Sequence, residues 1–211
     1  MTPIPEDARP RDPRWAVAYL ELANGMVMAG AKAKLIERFT ELPHRRVSDM
    51  YKALRGTPPP AGPIMQASAS YFTVPTGETS EAWVIQCAVF LECYERIGKI
   101  TAKPLQRGWR LLVAFNAYLS LTDDLNQTAT IRRLDINQAY ALLTYCGFLN
   151  PQSVAEVKRR QCPTCFMHYP VLASKRPQAQ RCPVCALNAN LQRLAGQAGA
   201  ASRQFYALRG T

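Results

Sequence analysis

Apolar residues recur at three- and four-residue intervals along much of the chain. Between Arg14 and Phe39 this spacing predicts one long helix, or two helices in line. Gly25 and Gly30 weaken such a helix by up to about 1 kcal/mol each, but their small size lets another helix pack closely. We therefore expect a helix–helix contact there. The apolar positions of this stretch are Trp15, Tyr19, Leu22, Met26, Leu35 and Phe39.

A second amphipathic helix is predicted after Pro43, a residue that fits the first helical turn, and Gly56 with the following prolines ends it. Together with the helix before it, it forms a helix-turn-helix-like segment at about residues 33–56. Cations at its N-terminus oppose the helix dipole, and a DNA phosphate would relieve that conflict. Many helical hairpins share this outline without binding DNA. The apolar stripe is Val47, Met50, Tyr51 and Leu54, and the predicted DNA contacts, assigned by charge, are Arg45, Arg46, Lys52 and Arg55.

Further helical patterns follow along the chain. One helix is predicted from Ser80 to Gly98, another after Pro104, and a third from about Asp135 to Gly147. The proline-rich stretch 56–77 contains aromatic residues, so we expect it to pack as an ordered loop. These patterns predict a mainly α fold, with a helical body and a small C-terminal module that lacks this helical pattern.

That module contains two Cys-Pro-x-Cys pairs separated by sixteen residues, Cys162 with Cys165 and Cys182 with Cys185. The spacing is typical of a four-thiolate zinc site, because each tight turn lets two sulfurs converge on one ion. A disulfide alternative is possible, but the chain shows no secretory signal, and in a reducing compartment clustered thiols more often hold metal. We expect one structural Zn²⁺ per chain.

Four cysteine ligands leave no open position for a catalytic water, so the predicted ion is structural. Residues 157–211 have few large apolar side chains, and metal binding would supply folding free energy on the order of 10 kcal/mol. His168 lies three residues after Cys165 and is expected to be a surface histidine rather than a ligand.

Charge is distributed unevenly along the sequence. After Glu156 there are nine basic residues and no acidic one, whereas the preceding part has 17 basic and 15 acidic residues. A surplus of this size is typical of a polyanion-binding surface, and the alternative is a basic segment that only confers solubility. The predicted DNA contacts in the module are Lys158, Arg159, Arg160, Lys175, Arg176 and Arg181.

The composition and the predicted elements divide the chain into four segments. We expect a disordered N-terminal extension (1–13), a helical body (14–156), a zinc-binding module (157–190) and a flexible basic tail (191–211). No segment approaches the roughly 18 apolar residues of a membrane span, and the N-terminus has no signal-peptide pattern, so a cytoplasmic protein without a membrane partner is expected.

The sequence shows no catalytic pattern. Neither histidine lies near a nucleophile pattern, and Asp123 and Asp124 lie in what we expect to be a turn. An enzyme is therefore not expected.

Two features resemble the family of the flagellar transcriptional activator FlhC. One is the run Met50-Tyr-Lys-Ala-Leu-Arg-Gly-Thr-Pro-Pro-Pro-Ala-Gly-Pro63, and the other is the pair of cysteine knuckles near the C-terminus. The resemblance covers about residues 14–190. It implies a mostly helical fold, a hetero-oligomeric complex with an FlhD-type subunit, DNA binding upstream of flagellar operons, and zinc bound by the four cysteines.

Two functions of different classes follow. In the first, the protein is a transcriptional activator that binds duplex DNA at flagellar promoters and recruits RNA polymerase. In the second, a zinc ribbon on a helical scaffold binds RNA or protein without sequence-specific duplex binding. The sparse aromatic residues after Cys165 give little stacking surface for single-stranded bases, which modestly favours duplex DNA.

Overall fold

The computed structural model describes residues 13–64, 67–75, 80–98, 103–128, 132–149, 152, 154–175 and 181–193. Most of these residues are helical, and the two strands form a C-terminal hairpin, which confirms the predicted mainly α fold class with a small cysteine-containing module. The elements are α1 (Pro13–Met28), α2 (Ala33–Thr40), α3 (His44–Arg55), a 3₁₀ helix (Ala69–Phe72), α4 (Glu81–Arg96), α5 (Pro104–Thr128), α6 (Ile136–Tyr145), β1 (Val157–Gln161), β2 (His168–Leu172) and α7 (residues 183–193).

The predicted first helix is two helices, because the chain turns between them at Gly30. This glycine has φ +78°, a left-handed conformation that ends α1. The turn is held from a distant part of the sequence, since Asn137 accepts from the Lys32 backbone N–H at 2.9 Å and donates to Gly30 O at 3.2 Å. Gly25 confirms the predicted close packing, because a Cβ there would lie 2.5 Å from Leu112 Cδ2 of α5.

Helices α2 and α3 form the predicted helix–turn–helix pair. A three-residue connection joins them, and Glu41 in it has φ 55°, while Gly56 at φ 66° ends α3 as predicted. Val47 and Tyr51 are buried, and the Tyr51 hydroxyl donates to Ala31 O. The predicted apolar stripe is shorter than expected, because Leu54 is 44% exposed.

Helices α4, α5 and α6 complete the core of the helical body. Most of their predicted apolar positions are buried, but Val113 of α5 is 39% exposed. Asp135 caps α6 by accepting from two backbone N–H groups. Tyr118 of α5 donates to Gln86 Oε1 of α4 at 2.7 Å. The expectation of a turn at Asp123 is wrong, because α5 continues to Thr128 and Asp123 accepts from Arg133 Nη1 at 2.8 Å. The loop before α4 is ordered where it is described, with Phe72 fully buried.

The C-terminal hairpin is antiparallel, with Val157 opposite Leu172 and Gln161 opposite His168. It lies against α4, where Tyr169 of β2 packs with Ala88. The expected disordered extension falls almost entirely outside the described residues, and so does the expected flexible tail from residue 194 onward. Residues 191–193 of that tail continue α7. No helix in the described ranges is long and apolar enough to cross a membrane.

Candidate metal centre and basic surfaces

The structure brings together the four predicted zinc ligands. The sulfur atoms of Cys162, Cys165, Cys182 and Cys185 all lie within 4.8 Å of one another. The Cys162 and Cys185 sulfurs are 3.8 Å apart, and those of Cys165 and Cys182 are 3.5 Å apart. All four side chains are free thiols, so the structure contains a four-sulfur cluster in place of disulfide bridges.

The first cysteine pair sits in a tight turn between β1 and β2. Cys162 O accepts from Phe166 N at 2.9 Å, and Cys162 N donates to Met167 O at 3.0 Å. Closing this turn places Phe166 at φ 60°, a conformation that residues other than glycine seldom adopt. The turn also directs the Thr164 N–H to the Cys162 sulfur at 3.4 Å. The knuckle therefore supplies two sulfurs and a backbone donor.

The second cysteine pair lies at the start of α7. Cys182 directly precedes the helix, and its carbonyl accepts from Ala186 N at 2.9 Å. Pro183 occupies the first helical position, where the missing N–H costs nothing. One helical turn then brings Cys185 to the same side as Cys182. The Cys-Pro-x-Cys spacing thus has a different local basis in each pair, a strand-to-strand turn in one and a helix N-terminus in the other.

The surroundings of Cys162, Cys182 and Cys185 shift their pKa values, and not all in the same direction. Backbone N–H groups of Cys165 and Thr164 lower the pKa of Cys162 to about 6, because they stabilise its thiolate. Contacts with the sulfurs of Cys165 and Cys162 raise the pKa of Cys185 to about 12. Burial is the main cause of the raised pKa of Cys182. A divalent cation would allow all four to be thiolates.

The spacing fits a tetrahedral metal ion. Zinc–sulfur bonds of about 2.3 Å place the sulfurs of a tetrahedral site about 3.8 Å apart. The sulfur–sulfur distances of 3.8 Å and 3.5 Å lie near this value, and no two of the four sulfurs are more than 4.8 Å apart. His168 is exposed at the start of β2 and is not among the clustered residues, so the four cysteines form the donor set. They could hold a metal ion, and a complete set of four thiolates favours a structural role.

The cluster is anchored to the helical body. Cys162 and Cys182 are buried together with Tyr169 and Ala88 of α4. Arg159 of β1 adds an ion pair with Glu92, at 2.6 Å between Nη2 and Oε2, and also contacts Glu95. These two glutamates could not be predicted as partners of Arg159, because the only ion-pair signal on α4 is the four-residue spacing of Glu92 and Arg96.

The four predicted DNA contacts on α3 differ in their surroundings. Arg45, Arg46 and Lys52 are exposed. Arg55 is also exposed, but its Nη1 donates to Val27 O at 3.2 Å and to Met28 O at 3.1 Å. These carbonyls belong to the last turn of α1, so Arg55 caps that helix in addition to adding positive charge.

The predicted contacts in the module also separate into two groups. Lys158, Lys175 and Arg181 are exposed, whereas the Arg159 side chain is only 14% exposed and is paired with carboxylates. Arg160 is half-buried and donates to the hydroxyl of Tyr169. Burial is the main cause of the raised pKa of Tyr169. Arg176 lies outside the described residues. The DNA-binding assignments stay predictions.

The family model and the relative that match the chain are both flagellar transcriptional regulators. The family model described as "Flagellar transcriptional activator (FlhC)" matches residues 16–197. The flagellar transcriptional regulator FlhC of Serratia marcescens is 28% identical over 113 residues, which cover 44% of this chain. The match spans 58% of the length of that relative. The family match includes α1 to α7 almost completely and all four clustered cysteines.

Proposed function

Because the chain belongs to the FlhC family of flagellar transcriptional activators, we propose that it activates flagellar genes by binding promoter DNA together with an FlhD-type subunit. The family match over residues 16–197 is the observation that carries this proposal. Regulators of this kind act by binding and recruitment, so the proposed function assigns no catalytic step to the chain. The site of action is the cytoplasm, where the proposed partners, chromosomal DNA and RNA polymerase, are found.

The α2–α3 pair supports duplex DNA as the ligand. In helix-turn-helix proteins the second helix enters the major groove and its N-terminal residues reach the bases. Here that helix is α3, and its first turn carries Arg45 and Arg46 on the exposed side. No acidic residue lies in the first turn of α3 itself, and the carboxylate beside it, Glu37 of α2, is bonded to His44 Nδ1 at 2.6 Å. A DNA phosphate would bind favourably at this end of the helix.

The cysteine cluster supports Zn²⁺ as the cofactor, with one structural ion per chain bound by Cys162, Cys165, Cys182 and Cys185. When bound, the ion cross-links the knuckle of the hairpin to the start of α7 and stabilises the fold. The module then presents Lys158, Lys175 and Arg181 on one small folded unit. We propose that Lys158, Lys175, Arg176 and Arg181 contribute phosphate contacts, with Arg160 beside them.

The test is fluorescence anisotropy of the full chain, with and without the FlhD-type subunit, on duplex DNA from upstream of flagellar genes over a salt series. The proposal predicts tight binding that the partner strengthens and that scrambled duplex does not displace. Replacing Arg45 and Arg46 by glutamine should weaken binding. Each lost phosphate contact should also lower the log–log salt slope by about 0.9. Arg96→Gln, which removes an exposed charge from α4, is the control and should leave the slope unchanged.

A second candidate is an interaction scaffold without duplex specificity. The observation in its favour is Phe166, which is 68% exposed at the tip of the knuckle. It borders a cavity of about 470 Å³ with Val89, Leu121 and Met167 in its walls. Exposed aromatic side chains beside apolar grooves are common in protein interfaces. Equal competition by RNA and scrambled duplex in the anisotropy experiment would favour this candidate over the activator.

A further inference from the structure

A cavity of about 380 Å³ lies where the start of α2, Ile64, the segment 67–72 and the start of α6 meet. It lies outside the cysteine cluster and is lined by none of the predicted DNA contacts. Its apolar wall includes Ile64, Phe72 and Ala141, and Tyr71 adds an aromatic ring. The volume lies in the range of small-molecule sites, and the lining combines this apolar wall with a larger share of polar groups.

Lys32 is the first charged residue in the lining of the cavity. This residue is only 7% exposed, which is rare for lysine because burying a charge costs free energy unless the charge is paired. Its Nζ donates to Pro63 O at 2.7 Å. None of the ion pairs formed among the described residues includes Lys32. An ammonium has three donors, so the single carbonyl leaves donors and the whole positive charge available to a ligand.

The second cation in the cavity is Arg132. Its guanidinium carbon lies 5.7 Å from the centre of the Tyr71 ring and 5.4 Å from that of Trp83. These aromatic faces hold the guanidinium near the cavity without neutralising its charge. Arg132 is exposed, and no carboxylate in the described ranges forms an ion pair with it. It therefore lies where it can bind a ligand that enters from solvent.

The acidic group in the cavity wall is already bonded. Asp135 Oδ1 accepts from Asn137 N and Gln138 N, each at 2.8 Å, as the cap of α6. Its negative charge is stabilised by the helix N-terminus. The cavity therefore contains two cations without a paired carboxylate and one carboxylate held by backbone donors, a net positive charge beside an apolar wall.

We propose that this cavity binds the oxyanion of a small organic ligand, a phosphate or carboxylate held by Lys32 and Arg132, with the apolar body of the ligand against Ile64 and Tyr71. The same oxyanion chemistry is available from a free small molecule and from a DNA backbone phosphate. Lys32 directly precedes α2 of the helix–turn–helix pair, so an anion here would sit next to the proposed DNA-binding element.

The test is calorimetric titration of the full chain with phenyl phosphate and with benzoate, at constant ionic strength, with benzyl alcohol as the neutral probe of the same shape. Saturable binding of the anions, and none of the alcohol, is expected. Arg132→Gln should weaken anion binding by about tenfold or more, the usual effect of losing one charge-assisted hydrogen bond. Since Arg132 is exposed, this variant should fold. Lys34→Gln, which removes an exposed charge from α2, is the matched control and should bind as the wild type does.

Lys32→Met should abolish anion binding, and its melting temperature shows whether the fold is intact. If Lys32 only ties the loop at Pro63 to α2, no saturable anion binding occurs, and that result overturns the proposal. Binding that Arg132→Gln leaves unchanged overturns it too. A titration in saturating duplex DNA distinguishes the two sources. Displacement of phenyl phosphate identifies a backbone phosphate as the natural oxyanion, and simultaneous binding identifies a free small molecule.

Discussion

Arg159 of β1 lies in an ion pair with Glu92 of α4, with 2.6 Å between Nη2 and Oε2. The same guanidinium contacts Glu95 one helical turn later, so one side chain joins the hairpin to two carboxylates of the helical body. Both glutamates are partly exposed, whereas the arginine is mostly buried. This positive charge of the hairpin thus serves to dock the module onto the helical body.

Arg159→Gln should weaken this docking. We expect the free energy of unfolding to fall by about 1–2 kcal/mol, between the values typical of exposed and of buried ion pairs. Urea unfolding followed by far-UV circular dichroism measures the change. Lys158→Gln, which changes the exposed neighbour on the same strand, should cost less than about 0.5 kcal/mol. Equal effects of the two substitutions would contradict a docking role for Arg159.

The same contacts predict a pH dependence. Hydrogen bonds from Arg96 and Arg159 hold the pKa of Glu92 below its usual value of 4.5. The folded state therefore favours the ionised form of Glu92 more than the unfolded state does. This contribution to the free energy of unfolding is fully present above about pH 5 and is lost as the pH falls through the pKa of the folded state. The difference in unfolding free energy between wild type and Glu92→Gln should be constant from pH 6 to 8 and shrink below about pH 4.5. A difference that stays constant down to pH 3 would exclude this coupling.

Removing a single sulfur from the cluster should release the metal. We expect about one Zn²⁺ per wild-type chain and a substoichiometric amount in Cys162→Ser or Cys182→Ser, because three thiolates hold the ion less tightly. Metal analysis after gel filtration measures the ratio. Cys146→Ala removes a thiol outside the cluster and should keep the full content. Stoichiometric metal in either serine variant would reject the four-sulfur site.

Metal release should also unfold the module while the helical body remains folded. Tyr169 packs against Cys162 and Cys182, so its ring should become accessible in the serine variants. Limited proteolysis should then cut within 157–193, while far-UV circular dichroism keeps most of the helical signal. Cleavage spread evenly over α1 to α6 would mean that the body depends on the module for its stability.

Much of the fold could be predicted because its signals are local. The two cysteine pairs, the glycine that ends α3 and the start of α6 at Asp135 each depend on residues a few positions apart. Caps and knuckles are built from neighbouring backbone groups, so their spacing is visible in the sequence. The family resemblance indicated the family of the chain but not the position of any side chain.

The remaining features depend on residues that are far apart in the sequence. Asn137 holds the α1–α2 turn across more than 100 residues, and Arg159 reaches Glu92 across 67. The sequence around each of these residues contains no pattern that identifies its partner. The end of α5 was missed for a similar reason, because Arg133 donates to Thr122 O at 2.9 Å and to Asp123, which supports helix where the composition favours a turn.

Glycines at the α5 interface offer a test in which packing and helix propensity predict opposite signs. Propensity alone predicts that Gly108→Ala stabilises its helix by about 1 kcal/mol. However, the added Cβ would lie 2.7 Å from Leu22 Cδ2 and 2.9 Å from Phe39 Cβ. The Phe39 Cβ is fixed to the α2 backbone and cannot move alone, so we expect a net destabilisation of about 1–3 kcal/mol. Gly25→Ala is the comparison, because its added Cβ meets only the flexible end of Leu112. It should cost less than Gly108→Ala in thermal unfolding, and the reverse order would contradict the packing of α5 against α2.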